Sequence, residues 1–217
     1  AVFEKDIVEK DRIANELGMI PLNVFSNLFT FYKSHFIYNF YYTAQYVSVV
    51  YALSKLFSVY YFSSGDTLQQ FSIEYEKIDD GSDFDLFSLF CFSTRQMVLY
   101  SAGIEVKRDE KMKYIINSDI VQKHLQVCAQ EQYVGFYKNN NDFLSKLNCG
   151  ECRKCRRTIS MLYGYGILDK FIDIFDVDLF LKNKAKYIGY ELATDHKSYT
   201  KEIKNNLTEK KILPRYT

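Results

Sequence analysis

Two periods run through the 217 residues. Phe3, Ile7, Ala14 and Leu17 recur near helical spacing, with Glu4, Asp6, Glu9, Lys10 and Asp11 on other faces, and predict an opening helix. Gly18 stands where a glycine ends such a helix. Ile20 to Phe25 reads as a short strand, with Pro21 near its start, where a missing N–H is tolerated, and Ser26-Asn27 at its tip. Tyr42 to Phe57 is apolar nearly all round, which predicts a helix buried against a sheet. Ser58 to Phe62 reads as a buried strand that ends in the loop Ser63-Ser64-Gly65-Asp66. A helix–strand–helix–strand order predicts a parallel sheet with helices on its faces.

Residues 67 to 87 carry no clear period, and Asp79 to Asp83 is a loop signal. After the apolar run Leu86 to Phe92, Ser93-Thr94-Arg95-Gln96 predicts a helix start, with Met97, Val98 and Leu99 inside the helix. Lys107 to Ile116 is a charged, amphipathic helix by pattern. Lys123 to Cys128 leads into a polar loop around Asn139 to Asp142. Thr158, Ile159, Leu162 and Tyr163 predict a helix that Gly164 and Gly166 stop. Val177 to Leu192 predicts another, followed by a polar tail with helical stretches to Pro214. The pattern divides the chain into an α/β part over 1–122 and a helical, cysteine-bearing part over 123–217.

Composition changes this picture little. Hydrophobic residues at 47% and charged residues at 25% are ordinary for a globular chain. A net charge of +1 supplies no field toward nucleic acid or an anionic membrane. Nineteen Tyr and eighteen Phe without Trp, beside abundant Lys, Asn and Ile, fit coding bias better than function. No basic-then-apolar leader opens the sequence. The most apolar stretch, Phe36 to Phe62, is broken by Asn39, Gln45 and Lys55, short of the roughly twenty apolar residues a span needs. No membrane helix is expected, and free thiols with metal ligands fit a reducing cytoplasm.

The cysteines change it most. Cys149, Cys152 and Cys155 stand at consecutive x2 spacings around Gly150, and Cys128 lies upstream, giving C-x20-C-x2-C-x2-C with four of the five cysteines. Turns of this spacing aim neighbouring thiolates at one tetrahedral ion, which points to structural Zn2+. An iron–sulfur cluster also uses thiolates at x2 spacing and stays open, as do unligated thiols. Disulfides fit worse, since two intervening residues strain the bridge and nothing marks the chain as secreted.

With these residues placed, the chain resembles the C-terminal portion of PP-loop ATP pyrophosphatases, nearest to the 7-cyano-7-deazaguanine synthase-like members linked to queuosine biosynthesis. Asn148-Cys149-Gly150-Glu151-Cys152-Arg153-Lys154-Cys155-Arg156-Arg157-Thr158 is similar to the family's N-C-G-x-C-x-K-C-x-R-T. His124 to Cys128 is similar to the segment bringing the first ligand, and Ser63 to Asp66 to the loop after the fourth strand. Ser93-Thr94-Arg95, followed by Met97-Val98 and Gly103, is similar to the family's S/T-K-x-E-(I/V) helix start, with Arg95 in place of a lysine. The resemblance covers roughly residues 1 to 170. It implies part of a doubly wound parallel sheet of the adenine nucleotide alpha hydrolase-like type, with a helical zinc-knuckle region after it.

The resemblance also implies ATP and Mg2+ as cofactors and an adenylating, ligase-type reaction on a small molecule. Nothing here matches the family's S-G-G-x-D-S phosphate loop: there are nine glycines and no two are adjacent. That loop is expected from an upstream segment or a second chain, unless the activity is lost and the chain is a zinc-stabilised interaction module. A homo-oligomer stays open. Arg95 is then the candidate phosphate cation, with Thr94 beside it as a hydroxyl donor, and a solvated first-turn arginine as the plainer account. Ser63, Ser64, Asp66 and Asn27 are candidates as residues beyond strand ends, where α/β sheets bind ligands, or as ordinary polar loop residues.

Other features carry plainer readings. Arg153, Lys154, Arg156 and Arg157 offset the −2 charge of a zinc–thiolate centre better than they suggest nucleic-acid binding. Cys91 between two Phe reads as a small buried hydrophobe. His35 and His196 have no motif partners. His124 reads as a surface histidine, or else as a hydrogen-bond donor to a metal ligand.

Overall fold

The computed structural model describes residues 2–28, 30–31, 38–65, 67–74, 81–128, 146–193 and 199–212. Asp66, His35, His196 and the polar loop at 139–142 lie outside them. In chain order the main elements are α1 (Val2–Glu16), α2 (Tyr38–Ala52), β1 (Val59–Ser63), α3 (Asp85–Phe92), β2 (Val98–Ala102), α4 (Arg108–Ile115), α5 (Asp119–His124), α6 (Arg153–Tyr165), α7 (Val177–Ala193) and α8 (Tyr199–Glu209). The chain divides into two compact units, Leu22–Met112 and the pair Ala1–Pro21 with Lys113–Thr217. No described helix is long and apolar enough to cross a membrane.

The Leu22–Met112 unit is built on a parallel strand pair. β1 and β2 run in register from Val59 beside Val98 to Ser63 beside Ala102. Side chains alternate across a strand, so one face carries Phe62 and Leu99 inward. They join Val47 and Val50 of α2, Leu89 of α3 and Met97 in a buried core, with Tyr42, Tyr51 and Tyr60 packed against it. The other face leaves Tyr61 68% exposed and stacks it on Tyr100, ring centroids 5.5 Å apart. A polar staple joins the two helices: the buried Asp85 carboxylate at the start of α3 accepts hydrogen bonds from Tyr42 and Thr43 of α2.

Several expectations are corrected here. Ile20 to Phe25 is not a strand: it belongs to no sheet among the described residues, and Ile20 is 95% exposed. Alternation alone does not make a strand without a neighbour to receive its N–H and C=O groups. The helix expected over Ser93 to Leu99 is a turn followed by β2, because the Thr94 hydroxyl accepts the Gln96 and Met97 amides and Thr94 pairs its own N–H with the Met97 carbonyl. Such local bonds turn the chain rather than start a helix. Among the side chains described in α2, the all-round burial expected reduces to one fully buried stripe, Thr43, Val47 and Val50. Ser58 to Phe62 is buried only at alternate positions, and Cys91 is exposed.

In the other unit α6, α7 and α8 pack around Ile159, Leu162, Phe180, Ile188, Ile203 and Leu207, each at most 1% exposed. Gly164 lies inside α6, where an added Cβ would come within 3.2 Å of the Asn206 Cβ, so it permits the close approach of α8. Gly166 is the residue that stops α6, with φ +72° and its N–H returned to the Leu162 and Tyr163 carbonyls. A left-handed stop of this kind suits glycine. A short turn, Leu168–Phe171, then carries Phe171 and Phe175 into the core. α1 belongs to this unit and packs on α5, whereas a boundary at 122/123 grouped it with the strands.

Candidate metal centre

Three of the four thiols are set locally. Gly150 takes φ +71°, which folds Cys149 back so that its sulfur accepts the Cys152 amide at 3.2 Å. Cys152 then caps α6 in an extended conformation, and Cys155 falls in the first helical turn, fully buried. The positive end of α6 therefore faces the sulfurs, which favours thiolate over thiol. Cys128 arrives from the end of α5, and all four sulfurs lie within 4.8 Å of one another. Tetrahedral thiolate sites with metal–sulfur bonds of about 2.3 Å have edges of about 3.8 Å. The Cys149 and Cys155 sulfurs stand 3.8 Å apart. The cluster expected from the spacing is formed, and it can hold one metal ion.

The thiols hydrogen-bond to one another, which moves their acidities in opposite directions. Hydrogen bonding from Cys149 lowers Cys128 to about 6, while Cys152 and burial push the other way. Cys149 and Cys155 are pushed well above the usual thiol range, first by their hydrogen bonds to Cys128, with Cys152 and burial adding at both, Cys149 adding at Cys155, and Cys155 opposing at Cys149. A bound dication would favour the thiolate form at all four.

Sequence reasoning used Asn148 only as part of a motif; the structure shows its work. It is 1% exposed. Its Oδ1 accepts the Val127 and Cys128 amides at 2.8 and 3.2 Å, and its Nδ2 donates to the Leu125 and Ile174 carbonyls at 2.7 and 3.3 Å. The position directly before the first knuckle cysteine was the available signal.

His124 is a further correction. Its side chain is 3% exposed, with Nδ1 donating to Glu9 Oε1 of α1 at 2.5 Å and Nε2 3.4 Å from Glu16 Oε1. It is neither a surface residue nor turned to the sulfurs; it ties α1 to α5. The carboxylates seven residues apart on α1 gave no hint of a partner so distant in sequence. Of the basic run, Arg153 and Lys154 are exposed. Arg156 lies over the Tyr190 ring at 4.3 Å, and Arg157 stands 3.8 Å from Glu191, itself 2% exposed. Burial raises the Glu191 carboxyl, and Arg157, Arg156 and Arg153 counter it.

The other candidates do not converge. Ser63 ends β1 and Ser64 follows it, its N–H on the Ala102 carbonyl. Lys111 of α4, which the sequence did not single out, donates to Ser64 Oγ at 2.5 Å and to its carbonyl at 3.3 Å. A cavity of about 10 Å³, room for one water, lies here between Ser64, Thr67, Asp85 and Ser101. Thr94 and Arg95 are exposed and precede β2, at the opposite end of the strand pair. At about 3.3 Å per residue, five-residue strands hold the two groups some 13 Å or more apart. Asn27 is exposed, and its carbonyl accepts the Thr30 and Phe31 amides.

Fold and site together define a mixed α/β chain with a four-cysteine centre able to hold a metal ion. Comparison with known protein families, with curated proteins and with solved structures finds no match.

Proposed function

We propose that this chain is the metal-stapled part of an ATP-dependent adenylating protein of the PP-loop type, with structural Zn2+ on Cys128, Cys149, Cys152 and Cys155. The convergence of four sulfurs within 4.8 Å from a C-x20-C-x2-C-x2-C pattern carries the reading. The tight spacing favours a single tetrahedral ion over an iron–sulfur cluster, whose thiolates sit on different irons. The ion's part would be structural: it would tie the Cys128 arm to the start of α6, with the Cys149 and Cys155 ligands buried and Cys128 and Cys152 half-buried.

The ligand face of this reading is the C-terminal end of β1 and β2, where α/β sheets bind ligands. Ser63, Ser64 and Lys111 offer hydroxyls and one cation there for an anionic group. Arg95 and Thr94, at the other end, would serve a different contact or none. In the reaction a substrate oxygen would attack the α-phosphorus of ATP, pyrophosphate would leave, and a nucleophile would then displace AMP; Mg2+ would supply charge neutralisation for the leaving pyrophosphate. The phosphate-cradling loop would come from outside these 217 residues, within a fuller, doubly wound sheet that also covers the Tyr61–Tyr100 face. Parallel sheets are covered on both faces as a rule.

A second reading, a non-catalytic zinc-stabilised module, is favoured by the absence of S-G-G-x-D-S from the sequence. The test is AMP and pyrophosphate release from ATP by the protein encoded by the complete gene, over a panel of small carboxylic acids. Release abolished by removing an encoded S-G-G-x-D-S loop supports the adenylating reading. A gene without that loop, and no release, leaves the module.

A further inference from the structure

The knuckle thiols are neighbours in sequence, and one turn plus the start of α6 places all three. Cys128 is separated from them by twenty residues, so its place at the centre needs a separate cause. The metal is one such cause; the geometry supplies another that acts without it. The Asn148 side chain touches the Cys128 arm at Leu125, Val127 and Cys128, and at the same time holds the Ile174 carbonyl. Its own N–H bonds to that same carbonyl at 3.1 Å. A carboxamide has one two-lone-pair acceptor and two donors, and every one of these is used here.

We infer that Asn148 is a positioning residue that sets the fourth ligand: it holds the Cys128 arm against the knuckle before the metal binds, so the centre is preformed. The inference rests on the reading of the four thiols as a metal centre. Only an amide fits the position. Aspartate keeps the acceptor for the Val127 and Cys128 amides but turns an oxygen on the Leu125 and Ile174 carbonyls, and it adds a negative charge beside four thiolates. Alanine leaves the two part-buried amides of Val127 and Cys128 without this acceptor. Hydrogen-bond partners that orient metal ligands typically contribute about 10–100-fold to affinity.

The test uses the purified 217-residue chain with zinc and cobalt(II) as probes. Zinc affinity is measured by competition with a chelating dye for wild type, Asn148→Asp and Asn148→Ala, with Cys128→Ser as the three-thiolate reference. The Asn148 variants are expected to bind about 10–100-fold more weakly, yet to give the four-thiolate cobalt absorption at saturation, unlike Cys128→Ser. Wild-type affinity in both variants would overturn the inference. Hydrogen exchange on the metal-free wild type does not depend on any variant folding: slow exchange at the Val127 and Cys128 amides supports a preformed arm, and exchange at unstructured rates overturns it. Failure of the wild type to bind either metal would overturn the metal reading itself, and the inference with it.

Discussion

At the scale of single residues, two positions carry measurable consequences. Gly150 has φ +71°, with nothing within 4 Å of where a Cβ would stand. The cost of Gly150→Ala is therefore conformational alone, about 1–2 kcal/mol for a left-handed residue. We expect that loss in denaturant unfolding of the metal-loaded protein, with metal stoichiometry unchanged. Glu9 tests the latch between α1 and α5. Burial raises its carboxyl, but the hydrogen bonds from His124 and Arg12 and their charges outweigh this and leave it below the ordinary 4.5. A carboxyl lowered in the fold adds stability above its unfolded value and loses it as pH falls through the folded one. Unfolding free energies across a pH series should show Glu9→Gln less stable than wild type at neutral pH. The gap should close in acid below 4.5, and a gap independent of pH would remove the latch.

At the scale of elements, α6 is where packing outweighs propensity. Replacing Gly164 by alanine gains about 1 kcal/mol of helix propensity. It also drives a Cβ to 3.2 Å from that of Asn206 on α8. Overpacking of this kind costs about 1–3 kcal/mol, so Gly164→Ala should lower the melting temperature, and a rise would show that α8 yields freely. Elements were legible in the sequence where local pattern and tertiary role agree. α1, α2, β1, α6 and α7 each fill an uninterrupted pattern and were found within a few residues. β2 was misread because five residues, Val98–Ala102, are too few for a period, and their strand state comes from pairing with β1. Ile20 to Phe25 fails for the converse reason: it alternates but joins no sheet among the described residues.

At the scale of the whole molecule, the four cysteines were legible because spacing encodes convergence. The positions of Asn148 and His124 were not, since the partners of the Asn148 side chain lie 20 to 26 residues away and Glu9 lies 115 residues from His124. The same limit applies to Lys111, whose contact with Ser64 spans 47 residues. Arg95, read at a helix start, and Ser64, read in the loop after a strand, were both candidates near strand tips, and the direction of the two strands separates them. The metal centre is the one feature on which local turn, helix start and distant arm all agree. Metal content of the protein purified under reducing conditions, read by elemental analysis against protein concentration, tests it most directly. The account predicts one zinc per chain, lost or sharply reduced in Cys128→Ser; iron with acid-labile sulfide, or no metal bound even after incubation with zinc, would contradict it.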